Sequence, residues 1–198
     1  MSTKIAVISG PSTGKTTLCK EVDNILGLMG KNSGLCLEFA RTYVNRFGPP
    51  ANVFEQFVVY LGQKRREDDL SRCDYIICDN TTFLCYVYAT FNIDLRNDKE
   101  RYALNELYNM ALKDMFSYQE IFYIPREFSL SPDGTRYQDE VAARLVDEKI
   151  RAFLLFHNLA YTEVRGTIDE RATSMMLKLG FQPEEFEHHM AHISNCHK

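Results

Sequence analysis

The stretch Ser9-Gly10-Pro11-Ser12-Thr13-Gly14-Lys15-Thr16-Thr17 limits the possible folds more than any other part of the chain. A short β-branched run, residues 4–8, precedes it. Behind it Leu18, Val22, Ile25, Leu26 and Met29 recur at the spacing of one buried helix face. The stretch is therefore a turn between a strand and a helix. It follows the pattern G-x-x-x-x-G-K-[ST], with Ser9 standing where the first glycine belongs. Glycines let successive backbone N–H groups turn inward as an anion-binding nest, and the helix start adds unpaired N–H groups and a positive dipole end. The residues expected to hold the phosphates of a nucleoside triphosphate are Gly10, Pro11, Ser12, Thr13, Gly14, Lys15, Thr16 and Thr17. Lys15 reaches the outer phosphates, and the Thr16 hydroxyl can ligate Mg²⁺.

The rest of the chain alternates strand-like and helix-like segments, which predicts a three-layer α/β/α fold on a parallel sheet. Further strands are expected over residues 34–37, 74–78, 121–125 and 161–164. Helices are expected over residues 39–47, 53–71, 82–91, 99–117, 139–157 and 168–179. Gly48-Pro49-Pro50 breaks the first of these. The charged second half of the helix over 53–71 reads as solvated. Residues 1–180 read as one domain and residues 181–198 as a polar, partly frayed tail. That tail holds His188, His192 and Cys196 at spacings that would share a helix face, a weak hint of a metal site.

A chain of 198 residues with 45% apolar residues, 13 Phe and 11 Tyr suits one compact core. A net charge of -4 argues against a strongly basic nucleic-acid footprint over the whole molecule. The six cysteines form no C-x-x-C pair, so they read as reduced, buried thiols. No charged-then-apolar leader opens the sequence, and no apolar run approaches the ~20 residues a bilayer span needs. The expected location is cytoplasmic.

Four further positions carry candidate chemistry. Asp79 ends a buried strand, where open α/β sheets bind ligands and where a carboxylate can serve Mg²⁺ together with Thr16. A helix N-cap is the structural alternative. Glu38 follows the second strand and is the candidate base or orienting group for an acceptor hydroxyl. Arg41, three residues on, can hold a substrate anion, or can simply pair with Glu38 along the helix. Arg126 and Arg136 flank the Asp133-Gly134 turn and suggest a lid near residues 126–138. Arg136 is the candidate catalytic arginine and Arg126 a candidate substrate contact. Gln63 is a weaker candidate substrate contact on a helix.

With these pieces placed, the chain resembles the P-loop nucleoside and nucleotide kinases. Within them it is similar to the ribosylnicotinamide-kinase-type domains and related AAA-labelled ATP-binding proteins. The resemblance rests on residues 10–17, on Glu38-Phe39-Ala40-Arg41-Thr42-Tyr43-Val44, on Gly62-Gln63, on Ile77-Cys78-Asp79 and on Asp133-Gly134-Thr135-Arg136. It implies a five-stranded parallel sheet in the order 2-3-1-4-5 and Mg²⁺-ATP as phosphate donor. It also implies a hydroxyl or phosphate acceptor near the second and third strands, served by Glu38 or Asp79, with Arg136 in the lid. The expected function is transfer of the γ-phosphate to a nucleoside, a nucleotide or a similar small molecule. Two alternatives stand beside it: a kinase acting on a modified base within DNA, and a P-loop ATPase switch with no phosphate acceptor.

Overall fold

The computed structural model describes residues 2–127 and 140–196, with side chains as far as residue 190. Five parallel strands form one sheet: β1 (Thr3–Ile8), β2 (Ser33–Cys36), β3 (Tyr75–Asp79), β4 (Glu120–Tyr123) and β5 (Thr162–Glu163). Their order is β2-β3-β1-β4-β5, as the family resemblance implies. Eight helices are described: α1 (Lys15–Leu28), α2 (Phe39–Phe47), α3 (Val53–Asp69), α4 (Phe83–Asn92), α5 (Asp98–Met115), α6 (Glu140–Phe156), α7 (Ile168–Lys178) and α8 (Pro183–Cys196). None is long and apolar enough to cross a membrane.

The strands are apolar on both faces because both are covered. Alternation sends Ile5, Val7, Ile77 and Phe122 against α1, α7 and α8, through Leu18, Val22, Met175 and Phe186. The intervening residues Ala6, Ile8, Cys78 and Tyr123 meet Phe83 of α4, Met115 of α5 and Ile150 of α6. A third cluster, with Tyr43, Val53, Tyr60, Cys85 and Leu107, binds α2–α5 into a helical cap beside the β2 and β3 ends.

Two sequence expectations change. The segment beyond Gly180 is not a frayed tail. It forms α8, and Phe181, Phe186 and Met190 enter the core against α1 and α7. Phe186 and Met190, one helical turn apart, and Phe181 just before the helix outweigh the polar residues between them. The side chains of His192 and Cys196 lie outside the described residues. The second half of α3 is not fully solvated either. Gln63 is 3% and Glu67 2% exposed. Glu67 is paired with Lys4 at 2.5 Å and accepts from Tyr118 at 3.0 Å, so its charge is compensated inside. Burial pushes the Glu67 carboxyl above its ordinary value, against the opposing pull of Lys4, Tyr118 and Gln63.

Candidate active site

β1 runs directly into the loop, and Gly14 at φ 83° turns it into α1. Ser9, in the first-glycine position, is 1% exposed. Its hydroxyl bonds the Gly10 carbonyl at 3.0 Å and meets Thr13 Oγ1 at 2.6 Å, lacing the loop across its base. The departure from the strict pattern is thus a cross-brace. Gly10 has no room for a side chain, because a Cβ there would strike the Asp147 carboxylate. Its N–H donates to Asp147 Oδ1 at 2.8 Å.

Two arginines hold the outside of the loop. Arg126 donates to Asp147 Oδ2 at 2.8 Å and to the Pro11 carbonyl at 2.9 Å. Arg171, 4% exposed, donates to the Thr13 carbonyl at 2.7 Å and to Glu127 at 2.8 Å. Glu127 also accepts from the Gly166 N–H at 3.1 Å. Burial alone would raise Glu127, but Arg171, the Gly166 N–H and Arg165 hold its carboxyl below its ordinary value. Asp147 goes the other way: burial raises it, and Arg126 and the Gly10 N–H only partly offset that.

On the inner side Asp79, at the end of β3, is 1% exposed. Its Oδ2 accepts from the Thr16 hydroxyl at 2.6 Å, and its Oδ1 lies 3.3 Å from Lys15 Nζ. Burial would lower the Lys15 ammonium, yet Asp79 and Glu38 outweigh burial and raise it, so Lys15 is a fixed cation. Thr16 and Asp79 are oxygen donors of the kind Mg²⁺ takes, and they already converge, so the donor set fits that ion. Asp79 does not serve as a helix cap: Thr82 holds the position before α4.

Glu38 sits at the N-terminus of α2 without capping it. Its Oε1 accepts from Asn80 Nδ2 at 2.6 Å, so the carboxylate turns to β3 rather than along its own helix to Arg41. Arg41 is exposed on the cleft wall. The cleft measures ≈ 770 Å³ and is lined by the loop, Lys15, Glu38, Arg41, Asn80 and Tyr88 among others. That volume matches a small-molecule site.

Of the candidate residues, the fold brings Lys15, Thr16, Asp79, Glu38 and Arg41 to one cleft region. Gln63 and Arg126 are differently employed. Gln63 accepts from the Phe39 N–H at 2.8 Å and donates to Cys36 Sγ at 3.3 Å, so its amide seats α2 instead of facing substrate. Arg126 gives its Nε and Nη2 to Asp147 and Pro11, and its buried Nη1 has no partner among the described residues. Arg136 and the Asp133-Gly134 turn lie outside the described residues. Sequence reading passed over Asp147, Arg171, Glu127 and Asn80. Two of these left a signal. Asp147 falls on the stripe of Ala143, Ile150 and Leu154, and Arg171 on that of Ile168 and Met175, so each is a charge at a core-facing position.

The model of a family described as AAA domain matches residues 4–171. The chain belongs to that family. No curated protein sequence matches it. Among solved structures, those similar to this chain include the NadR protein in complex with NAD and AMP-PNP. It is 19% identical at a TM-score of 0.64, over 84% of this chain and 44% of that one. The NadR protein in complex with NR is 16% identical at 0.71, over 91% and 52%. Deoxyadenosine kinase from M. mycoides with bound dATP is 16% identical at 0.57, over 90% and 100%. The chain thus spans about half the length of the NadR chains. At these identities the likeness is one of fold: a five-stranded parallel sheet in the order β2-β3-β1-β4-β5 between two helical layers.

Proposed function

We propose that this AAA-family domain transfers the γ-phosphate of Mg²⁺-ATP to a hydroxyl of a nucleoside-like small molecule. The observation that carries the reading is a second carboxylate in the phosphate cleft. Asp79 is bonded to Thr16 and Lys15, while Glu38 faces the same cleft from the turn between β2 and α2 and hydrogen-bonds neither. A hydrolase would use such a group to position water, so the acceptor assay below decides between transfer and hydrolysis. The named ligands of the similar folds, AMP-PNP, NR and dATP, support the same class of substrates.

In this reading the loop N–H groups and Lys15 bind the outer phosphates. Thr16 and Asp79 would hold Mg²⁺, which supplies charge neutralisation on those phosphates. Glu38 orients the acceptor hydroxyl and takes its proton as the new P–O bond forms and the bond to ADP breaks. The lid role expected of Arg136 lies outside the described residues. Braced from outside by Arg126 and Arg171, the loop is preorganised rather than shaped by its ligand.

The test is incubation of the purified protein with Mg²⁺-ATP labelled on the γ-phosphate and separate panels of nucleosides, nucleoside monophosphates and DNA carrying hydroxymethylated bases. Label on a nucleoside-like small molecule is expected. Label confined to DNA would replace the acceptor assignment, and label appearing only as free phosphate would overturn the transfer reading.

A further inference from the structure

Asn80 follows Asp79 and begins the turn out of β3. In an extended strand consecutive side chains point to opposite faces. Asn80 escapes that rule because its backbone is left-handed, at φ 73°, with its N–H on the Val7 carbonyl at 3.1 Å. Asparagine is one of the few side-chain-bearing residues that adopt this conformation readily. The result is a division of labour: Asp79 meets Lys15 and Thr16, and the next side chain meets Glu38.

An ionised carboxylate only accepts hydrogen bonds, so the amide must present its NH₂ to Glu38. The 2.6 Å bond therefore fixes which way the amide faces. Its Oδ1 is then left buried with no partner among the described residues, which costs stability with no structural return. The charged groups around Glu38 are Lys15 on α1, Asp79 on β3, Arg41 on α2 and Arg66 on α3. Arg66 donates to the Glu38 backbone carbonyl at 3.3 Å, not to its carboxylate. A neutral amide can tie the carboxylate down without cancelling its charge, as an arginine at the same place would.

We propose that Asn80 is a positioning residue for the acceptor reaction, holding the Glu38 carboxylate across the gap between β2 and β3. The inference rests on the phosphotransfer reading above. Both Glu38 and Asn80 line the cleft beside Lys15, so a shift of this bond moves the proton acceptor relative to the phosphate site.

Two variants test it, Asn80→Asp and Asn80→Gly, since both side chains suit a left-handed backbone. Transfer to a nucleoside acceptor is followed from about pH 5.5 to 8.5, with affinity for a fluorescent ATP analogue as the control for an intact fold and loop. At the alkaline end Asn80→Asp faces Glu38 with a second negative charge, and kcat/KM for the acceptor falls roughly 10²-fold. Toward the acid end a shared proton restores the short bond, and about 10-fold of the loss returns. Asn80→Gly is impaired without that recovery. The analogue still binds both variants, which shows an intact fold and loop, and its affinity is read beside each kcat/KM so that a loss at the phosphate site is separated from one at the acceptor. A pH profile for Asn80→Asp parallel to that of the unaltered protein, or unimpaired Asn80→Gly, overturns the inference alone. No transfer by the unaltered protein overturns the phosphotransfer reading, and this one with it.

Discussion

Lys15 stays charged because Asp79 and Glu38 outweigh the burial that would strip its proton. Its replacement by alanine removes a preorganised cation from developing negative charge, so turnover should fall roughly 10²-fold or more in steady-state transfer assays. Normal turnover would dissociate the loop from the chemistry. The side chains behind the loop matter in a different way. Asp147 holds the Gly10 N–H and Arg126 together. Asp147→Ala leaves Arg126 without its carboxylate and frees the loop, so the KM for ATP should rise about 10-fold to 10²-fold while a folded protein persists. The phosphate loop and both carboxylates were legible in the sequence because each lies within two residues of a strand end, where local pattern decides position. Asp147 and Arg171 were not. They reach the loop from α6 and α7, and only the folded sheet brings those helices to it.

At the level of elements, Gly62-Gln63 shows what motif resemblance can and cannot say. Gln63 was expected on a helix as a weak candidate substrate contact, and α3 carries it. Both residues instead receive Phe39, the first residue of α2. Gln63 bonds its N–H, and at Gly62 any Cβ would meet its ring. α2 carries Glu38 at its start, so this seat sets where Glu38 stands in the cleft. Gly62→Ala should cost about 1–3 kcal/mol of stability through overpacking. It should also lower acceptor kcat/KM more than it changes ATP binding, as parallel denaturation and kinetics would record. The end of the chain makes the opposite point. Polar residues and four histidines suggested a loose tail, but Phe186 is fully buried against the α1 and α7 layer. Phe186→Ala should therefore destabilise the fold by about 3–5 kcal/mol in chemical denaturation, where a frayed tail would show no change.

Across the whole molecule, strand and helix alternation specified the three layers. The strand order came from family likeness, because periodicity says which faces are buried and not which strands are neighbours. The buried charge of Glu67 was invisible at that level, since Lys4 and Tyr118 reach it from β1 and the approach to β4. It makes stability depend on pH. Burial raises the Glu67 carboxyl, so between the ordinary glutamate value and the raised native value the native state binds more proton than the unfolded chain. That contribution is present below the ordinary glutamate value and fades as pH rises through the raised native value. Melting of the unaltered protein and of Glu67→Gln from about pH 4 to 8 should show the unaltered protein losing Tm relative to the variant as pH rises. A Tm difference independent of pH would refute this.

The phosphate loop, the Mg²⁺-type donor pair and the Glu38 carboxylate form one cleft with two ends. The most direct test is the fate of γ-labelled phosphate in the unaltered protein and in Glu38→Gln, each supplied with Mg²⁺-ATP and a nucleoside acceptor. The unaltered protein should place label on the acceptor. Glu38→Gln should bind ATP normally and transfer about 10² to 10⁴ times more slowly, the loss expected for a missing general base. Label released by the unaltered protein only as free phosphate, or undiminished transfer by Glu38→Gln, would contradict the assignment of this cleft to phosphoryl transfer through Glu38.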